Sequence, residues 1–383
     1  MLTRRSFIAA STAAYALVHP EVLFARANSE RRFVFIIQRG AADGLSILAS
    51  TGDPAFAGLR GDFAQDSAGG MKLGSFFTLH PALAETAKMY ADRQALFVHA
   101  VASPYRDRSH FDGQNVLETG GSAAYRLKDG WMNRLLGLLP ADEAKALALS
   151  STVPAALRGA HEVGSYATSQ LPNPSDDLLA RVSALYESDQ QLHALWMAAM
   201  DTRMKAGDPM QSAGGGQKGA ATGALGAKML LGEGARIAMI ETGGWDTHSG
   251  QRGRLNAQLK DLDQLLAALK TGLGAEWANT LVMVATEFGR TARPNGTGGT
   301  DHGQASAAML LGGAVAGGKV IADWPGLSDS ALYEGRDLRP TTDLDALFAA
   351  ALAQHFALEP ARVMTTLFPE TKAAALRQPL ILN

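Results

Sequence analysis

The side chains best suited to chemistry are acids and histidines in two clusters of the second half of the chain: Asp246, His248, Glu287, Asp301 and His302. Asp246 and His248 follow the apolar run 237–240 on a glycine-containing turn. Glu287 follows a second apolar run, 280–286, and the next loop carries the remaining pair. Carboxylates and imidazoles are ligands for borderline or hard divalent ions. We therefore predict a divalent metal site built from both clusters.

The predicted strands indicate where these clusters would meet. Residues 32–38 form a short apolar run rich in β-branched and aromatic side chains, which is typical of a strand buried on both faces, and Asp43 lies just past its end. Asp246, Glu287 and the loop that carries Asp301 also lie at or beyond predicted strand ends. In open α/β sheets, ligands bind at the carboxyl ends of the strands. A single shared site would have to be built there.

Ser109 precedes residues 110–118, which we predict to form a helix ended by Gly120 and Gly121. Capping is the commonest role of a serine at a helix start. Its hydroxyl would also lie where unpaired backbone amides point outward, so a capping role and a nucleophilic role both remain open.

Two of the acidic residues have structural alternatives as well. Asp246, together with Thr247, could be a turn and capping residue ahead of the predicted helix 254–273. Glu287 and Arg290 could form only a salt bridge. Neither alternative requires His248 or the glycine pair before Asp246.

The whole chain reads as strands alternating with helices, which predicts an α/β fold: a doubly wound, mostly parallel sheet with helices on both faces. We predict strands at 32–38, 96–101, 146–149, 236–240 and 280–286, and helices at 81–90, 110–118, 176–205, 254–273 and 343–353. The first helix, between two apolar strands, suggests a right-handed βαβ unit. Residues 28–383 are expected to form a single domain, with a flexible glycine-rich loop near 207–226.

The N-terminus predicts export. Arg4 and Arg5 form a twin-arginine pattern, an apolar stretch follows, and Ala25 and Ala27 supply a cleavage site. We expect residues 1–27 to be a twin-arginine signal read by the twin-arginine translocase. The mature protein would then be periplasmic or extracellular, with no membrane span after cleavage.

Composition limits the chemistry further. The chain has no cysteine, so any metal must be held by imidazole, carboxylate, other oxygen donors or water. Its formal net charge is −2, which is not typical of a nucleic-acid-binding protein. A hydrophobic content of 46% is enough to fill a sizeable core.

The motifs at 243–248, 287–291 and 299–303, in this order, resemble those of the DUF1501 family of exported bacterial proteins. The segments 39–45 and 109–112 resemble that family's two N-terminal motifs, so the likeness covers nearly all of the predicted mature chain. The order of motifs in turn looks like that of the alkaline phosphatase and sulfatase superfamily. This resemblance implies an alkaline-phosphatase-like fold.

The resemblance also implies roles for individual residues. It implies metal ligands after the first strand, before the long helix, after the next strand and in the late loop: Asp43, Asp246, His248, Glu287, Asp301 and His302. It implies Ser109 as the nucleophile at a helix start, with His110 beside it and Arg290 on the anionic oxygens of a substrate. Phe288 stands where the superfamily has a histidine after the acid, so one nitrogen ligand of a two-metal site is missing.

The function implied is that of an exported, metal-dependent hydrolase acting on phosphate or sulfate esters. Zinc is the first choice of cofactor, with manganese, magnesium or calcium as alternatives. The expected partner is a small anionic ester or an envelope glycan. The missing nitrogen ligand motivates a competing hypothesis, a non-catalytic envelope binding or assembly protein that keeps the fold.

Overall fold

The computed structural model describes six ranges of the chain: 30–141, 144–166, 176–186, 189–206, 218–231 and 234–382. The predicted export signal, 1–27, and the first part of the predicted glycine-rich loop, 207–217, lie outside the described residues. The second part of that loop begins a helix at Lys218.

Most of the strands belong to one large sheet. In chain order the strands are β1 (Arg32–Gln38), β2 (Leu48–Ala49), β3 (Lys72–Leu73), β4 (Phe77–Leu79), β5 (Ala95–Ala102), β6 (Ala146–Leu149), β7 (Val163–Ser165), β8 (Ile237–Thr242), β9 (Thr280–Ala285), β10 (Ser306–Leu311), β11 (Lys319–Ile321) and β12 (Thr342–Asp343). The nine-stranded sheet has the order β11-β5-β10-β9-β1-β8-β6-β7, and β12 pairs with β5. Only β10 runs antiparallel to its neighbours, so the predicted mostly parallel sheet is confirmed. β2, β4 and β3 form a separate antiparallel sheet.

Helices flank the large sheet. They are α1 (Gly44–Ile47), α2 (Phe56–Arg60), α3 (Ala84–Ala91), α4 (His110–Thr119), α5 (Trp131–Leu136), α6 (Asp176–Tyr186), α7 (Gln190–Ala206), α8 (Lys218–Leu230), α9 (Gln251–Leu273), α10 (Leu344–Phe356) and α11 (Pro360–Leu367), with 3-10 turns at Gly61–Ser67, Ala155–Leu157 and Gly274–Asn279. Among the described residues, no helix combines the length and the apolar character needed to cross a bilayer.

The alternation of side chains along β1 divides the core between the two faces of the sheet. Phe33, Phe35 and Ile37 pack in one cluster with α5, α10 and α11. Val34 and Ile36 pack in the other, mainly with α9. A strand buried on both faces reads as a continuous apolar run, which is why β1 was recognisable from its sequence. The predicted helices on both faces are confirmed.

Three details differ from the sequence-based expectation. The predicted continuous helix 176–205 is wrong: α6 ends at Tyr186 and α7 begins at Gln190, with the Asp189 carboxylate accepting a hydrogen bond from the Leu192 amide. The two strands of the suggested βαβ unit, β1 and β5, are not neighbours in the sheet, because β9 and β10 lie between them. Helix α9 begins at Gln251, three residues before the predicted start.

Candidate metal centre

Four segments bring the acidic and histidine side chains together at one edge of the sheet. Asp246 and His248 lie between β8 and α9, and Glu287 lies two residues after β9 ends. His302 lies in the loop before β10, where its backbone bridges that of Arg290. Helix α4 begins with His110 and adds its side chain from another part of the chain.

The central group consists of His110, Asp246 and His302, whose ligand atoms all lie within 4.8 Å of one another. Asp246 Oδ2 is 3.4 Å from His110 Nε2, and its Oδ1 is 3.4 Å from His302 Nε2. His248 Nε2 lies beside them, 3.0 Å from Asp246 Oδ1 and 2.9 Å from His302 Nε2. Ligands at zinc–nitrogen distances in a tetrahedron would be about 3.3 Å apart. The observed separations are therefore close to those of a metal coordination shell.

The second ring nitrogen of each histidine faces an oxygen that can only accept a hydrogen bond. His110 Nδ1 is 2.8 Å from the Glu287 carboxylate, and His248 Nδ1 is 3.0 Å from that of Asp301. His302 Nδ1 is 2.9 Å from the backbone carbonyl oxygen of residue 108. These acceptors assign the proton to Nδ1 in each neutral ring and leave each Nε2 with a free lone pair.

The Nε2 atoms so assigned have no good partner in the protein itself. Two nitrogen lone pairs repel each other, yet the Nε2 atoms of His248 and His302 are 2.9 Å apart. Among the described residues, buried His110 Nε2 has no hydrogen-bond partner. A divalent cation held by His110, Asp246 and His302 would satisfy the Nε2 atoms of two of these rings, and His248 Nε2 lies beside that group, 3.0 Å from Asp246 Oδ1. These imidazole and carboxylate donors therefore fit a divalent metal ion.

Glu287 acts on the group through hydrogen bonds. Its side chain is fully buried, and Oε1 accepts from the Gly40 amide at 2.9 Å, the Gln114 side chain at 3.0 Å and the His110 ring. Burial opposes ionisation, but the hydrogen bonds from His110 and Gln114 hold the pKa of Glu287 below its ordinary value. The same bond raises the pKa of His110. The structure thus brings Glu287 behind His110, where it orients the ring.

Arg290 fixes the central carboxylate. Its buried guanidinium donates to Asp246 Oδ1 at 2.8 Å and to Thr300 Oγ1 at 3.1 Å. Burial opposes ionisation of Asp246, but the bond from Arg290 holds its pKa below the ordinary value. The Glu287–Arg290 salt bridge considered from the sequence is absent from the described part of the chain, since Arg290 pairs with Asp246 instead. Arg290 therefore keeps Asp246 ionised and oriented.

Asp43 lies apart from this group. Its carboxylate is 1% exposed, and Oδ2 is 2.6 Å from Arg60 Nη2 and 2.5 Å from the Gln251 amide nitrogen. Its Oδ1 accepts from the amides of Leu45 and Ser46 at the start of α1. An ion at Asp43 would have to displace the buried guanidinium, so these contacts do not fit a second metal there. The ligand role that the resemblance implied for Asp43 is replaced by a buried ion pair.

Ser109 occupies the N-cap position of α4, but its side chain makes no capping hydrogen bond. Its amide donates to the hydroxyl of Tyr105 at 3.0 Å. The hydroxyl is thus not engaged in the role that sequence reasoning gave as the alternative to catalysis. Ser109 directly precedes His110, so it lies next to the central group.

Three features of the site and its surroundings were not evident from the sequence. Phe288 stacks on the His110 ring at a centroid distance of 5.1 Å, and so packs against a ligand candidate instead of being one. Gln114 lies four residues after His110 and shares its contact with Glu287; this helical spacing is the signal that could have linked the two. No local pattern pointed to Arg60 as the partner of Asp43.

Solved structures similar to this chain have low identity to it. The C-terminal periplasmic domain of EcEptC from Escherichia coli, in complex with Zn, is 9% identical at a TM-score of 0.35, and the match covers 75% of this chain and 74% of that one. Alkaline phosphatase from the Antarctic bacterium TAB5 is 10% identical at a TM-score of 0.35, with 89% and 99% covered. Phosphonate monoester hydrolase of Agrobacterium radiobacter is 11% identical at 0.31, with 76% and 70% covered.

No curated protein matches the sequence. The family model described as "Protein of unknown function (DUF1501)" matches residues 71–368, which is most of the chain. The matched range includes His110, Asp246, His248 and His302. The protein belongs to the DUF1501 family.

Proposed function

We propose that the protein is a metal-dependent hydrolase of phosphate or sulfate esters, in which His110, Asp246, His248 and His302 hold one divalent ion. The observation that carries this proposal is that Nε2 of His110, His248 and His302 lies 3.0–3.4 Å from the Asp246 carboxylate, while Nδ1 of each of these rings faces an oxygen acceptor. Carboxylate–histidine pairs of this kind are typical of protein metal sites. The bound ion would supply Lewis-acid chemistry at the ester oxygens.

The protein's own groups would bind and react with the ester. The start of α4 offers backbone N–H groups and a positive helix end to an anionic group. The Ser109 hydroxyl, which makes no capping bond, is the candidate nucleophile. In this proposal Ser109 Oγ gives up its proton and bonds to the phosphorus or sulfur, the ester bond to the leaving alkoxide breaks, and the alkoxide takes up the proton that the serine released. Water then cleaves the serine ester and restores the hydroxyl.

In this proposal the side chains around the ligand group orient the ligands. Glu287 and Asp301 orient His110 and His248 through their Nδ1 atoms, and Arg290 orients Asp246. The substrate would be a small anionic ester, with an envelope glycan as the alternative ligand. Export by the twin-arginine pathway belongs to the same proposal and rests on residues 1–27.

Metal analysis tests the proposed centre directly. Purified without chelator and refilled with Zn²⁺, the protein should hold about one equivalent, because a preformed site of imidazoles and a carboxylate binds zinc tightly. His110→Ala and Asp246→Ala should each lose most of it. His161→Ala and Asp329→Ala, which remove exposed side chains outside the centre, should not change the content. A refilled wild type with no bound ion would contradict the proposal.

Ser109→Ala separates chemistry from capping. Because the hydroxyl makes no capping hydrogen bond, we expect the free energy of unfolding to change by less than about 0.5 kcal/mol. Turnover of aryl phosphates, phosphodiesters or aryl sulfates should fall at least about 100-fold, because the nucleophile is lost. Equal turnover in wild type and variant would rule out Ser109 as the nucleophile.

A non-catalytic binding or assembly protein is the second candidate. Phe288 on the His110 ring and the Asp43–Arg60 ion pair favour it, since both occupy positions that the resemblance assigns to metal binding. The two candidates differ in turnover. Metal binding with no hydrolysis across the three substrate classes would favour the binding protein, whereas turnover lost in Asp246→Ala would favour the hydrolase.

A further inference from the structure

The acceptor for His302 is a backbone carbonyl held in an uncommon conformation. Arg108 has φ +60°, in the left-handed region that non-glycine residues rarely adopt. Its carbonyl oxygen is 2.9 Å from His302 Nδ1. A strained backbone of this kind persists only where surrounding contacts hold it, and it often marks a functional position.

The Arg108 side chain is held by a buried acid. Asp337 is fully buried, and its Oδ2 accepts from Arg108 Nε at 3.1 Å and from Nη2 at 2.7 Å. Exposed Glu334 contacts the same guanidinium from the solvent side. The two-nitrogen contact with one buried oxygen fixes the direction of the arginine side chain, and therefore the residue that carries it.

Within the described part of the chain, one oxygen of the buried Asp337 carboxylate is left without a hydrogen bond, which is energetically unfavourable. This oxygen is Oδ1, and the nearest charge is Arg336 Nη1 at 3.7 Å. An unsatisfied buried carboxylate oxygen in a folded protein calls for a specific reason. The hydrogen bonds from Arg108 to the other oxygen connect this carboxylate to the residue that accepts from His302.

The turn that carries Asp337 reaches His302 by a second route. Its ends are joined by hydrogen bonds between the backbones of Tyr333 and Asp337, and Asp337 also bridges to Thr291. Arg336 Nη2 donates to the His302 carbonyl oxygen at 2.8 Å. The turn therefore holds both the histidine backbone and the residue that accepts from its ring.

We propose that Asp337 is a positioning residue of the metal centre: it clamps Arg108, whose carbonyl keeps the proton of His302 on Nδ1 and leaves Nε2 free for the ion. The inference rests on the proposed function, because that function makes His302 a metal ligand. It assigns Asp337 no contact with substrate or metal. Loss of the clamp would let the Arg108 carbonyl turn away and the ring exchange between its two neutral tautomers.

The tautomer can be observed without any metal or activity. Long-range ¹H–¹⁵N spectra of the metal-free protein at pH 8 report which ring nitrogen is protonated, and His302→Gln identifies the His302 signals. Asp337→Asn is the test variant, because it removes the charge at nearly constant shape. Glu334→Gln is the matched control, because it alters the exposed partner of the same guanidinium. Arg108→Ala provides a second route to the same loss if Asp337→Asn does not fold.

We expect the Nδ1–H form of His302 in wild type and Glu334→Gln, and a mixture of both tautomers in Asp337→Asn and Arg108→Ala. Zn²⁺ affinity should fall about 10- to 100-fold in these two variants and stay unchanged in the control. A wild-type Nε2–H form, or an unaltered tautomer in both test variants, would overturn the proposal. If the tautomer shifts as expected but wild type binds no ion, the proposed function fails while the positioning role stands.

Discussion

Asp43→Ala should lower the free energy of unfolding by about 3–5 kcal/mol, because it leaves the guanidinium of Arg60 buried without its counter-charge. Both side chains are almost fully shielded from solvent, at 1% and 0% exposure. The variant also loses the hydrogen bonds from the first amides of α1. Urea unfolding at pH 7.5 measures the effect. Bound zinc should remain at the wild-type level, because Asp43 lies outside the proposed ligand group.

The exposed pair of Asp329 with Arg293 supplies the control for this experiment. Asp329→Ala removes an ion pair of similar length in solvent and should cost less than about 1 kcal/mol. Burial opposes ionisation of Asp43, but Arg60 holds its pKa below the ordinary value. The stability that this pair contributes is therefore present above the unfolded-state pKa and is lost as pH falls through the folded one. A cost no larger than that of the control would refute the importance of the pair, and a loss of zinc would make Asp43 a ligand.

Asp345→Asn should have the opposite sign, raising the free energy of unfolding by about 4 kcal/mol at pH 8. Burial within α10, with Asp343 nearby, raises the pKa of Asp345 to about 7. Ionising this carboxyl in the folded protein therefore costs free energy that the unfolded chain does not pay. The Thr371 hydroxyl, which donates to Asp345, can donate equally to an amide oxygen.

The pH dependence distinguishes this cause from a change in packing. Because the folded pKa is raised, the wild type loses stability as pH rises from about 4 to 7, and the penalty is complete above that range. The advantage of Asp345→Asn should shrink to below about 1 kcal/mol near pH 4. Urea unfolding at pH 4, 6 and 8 follows it, with Asp92→Asn, an exposed acid, as the control that should show no such trend. A gain independent of pH would contradict the titration of Asp345.

Much of the fold could be predicted because the relevant signals are local. The continuous apolar run of β1 and the strands that end before Asp246 and Glu287 follow from burial on both faces of a parallel sheet. Gly120, in the left-handed region at φ 66°, ends α4 as expected. The order β9–β10–β5 and the antiparallel direction of β10 were not predictable, since pairing between distant strands has no local pattern.

The sequence by itself determined which residue types reach the carboxyl edge of the sheet, because strand ends and turns are set by hydrophobic periodicity and glycine, and its motifs determined the family. Only the tertiary structure decided what each side chain does there. His110 lies with Asp246 and His302, while Asp43 forms an ion pair with Arg60. The physical reason is that coordination and ion pairing depend on distances of a few ångströms between residues far apart in the chain. Local periodicity says on which element a side chain lies, and only the packed fold says which partner it meets.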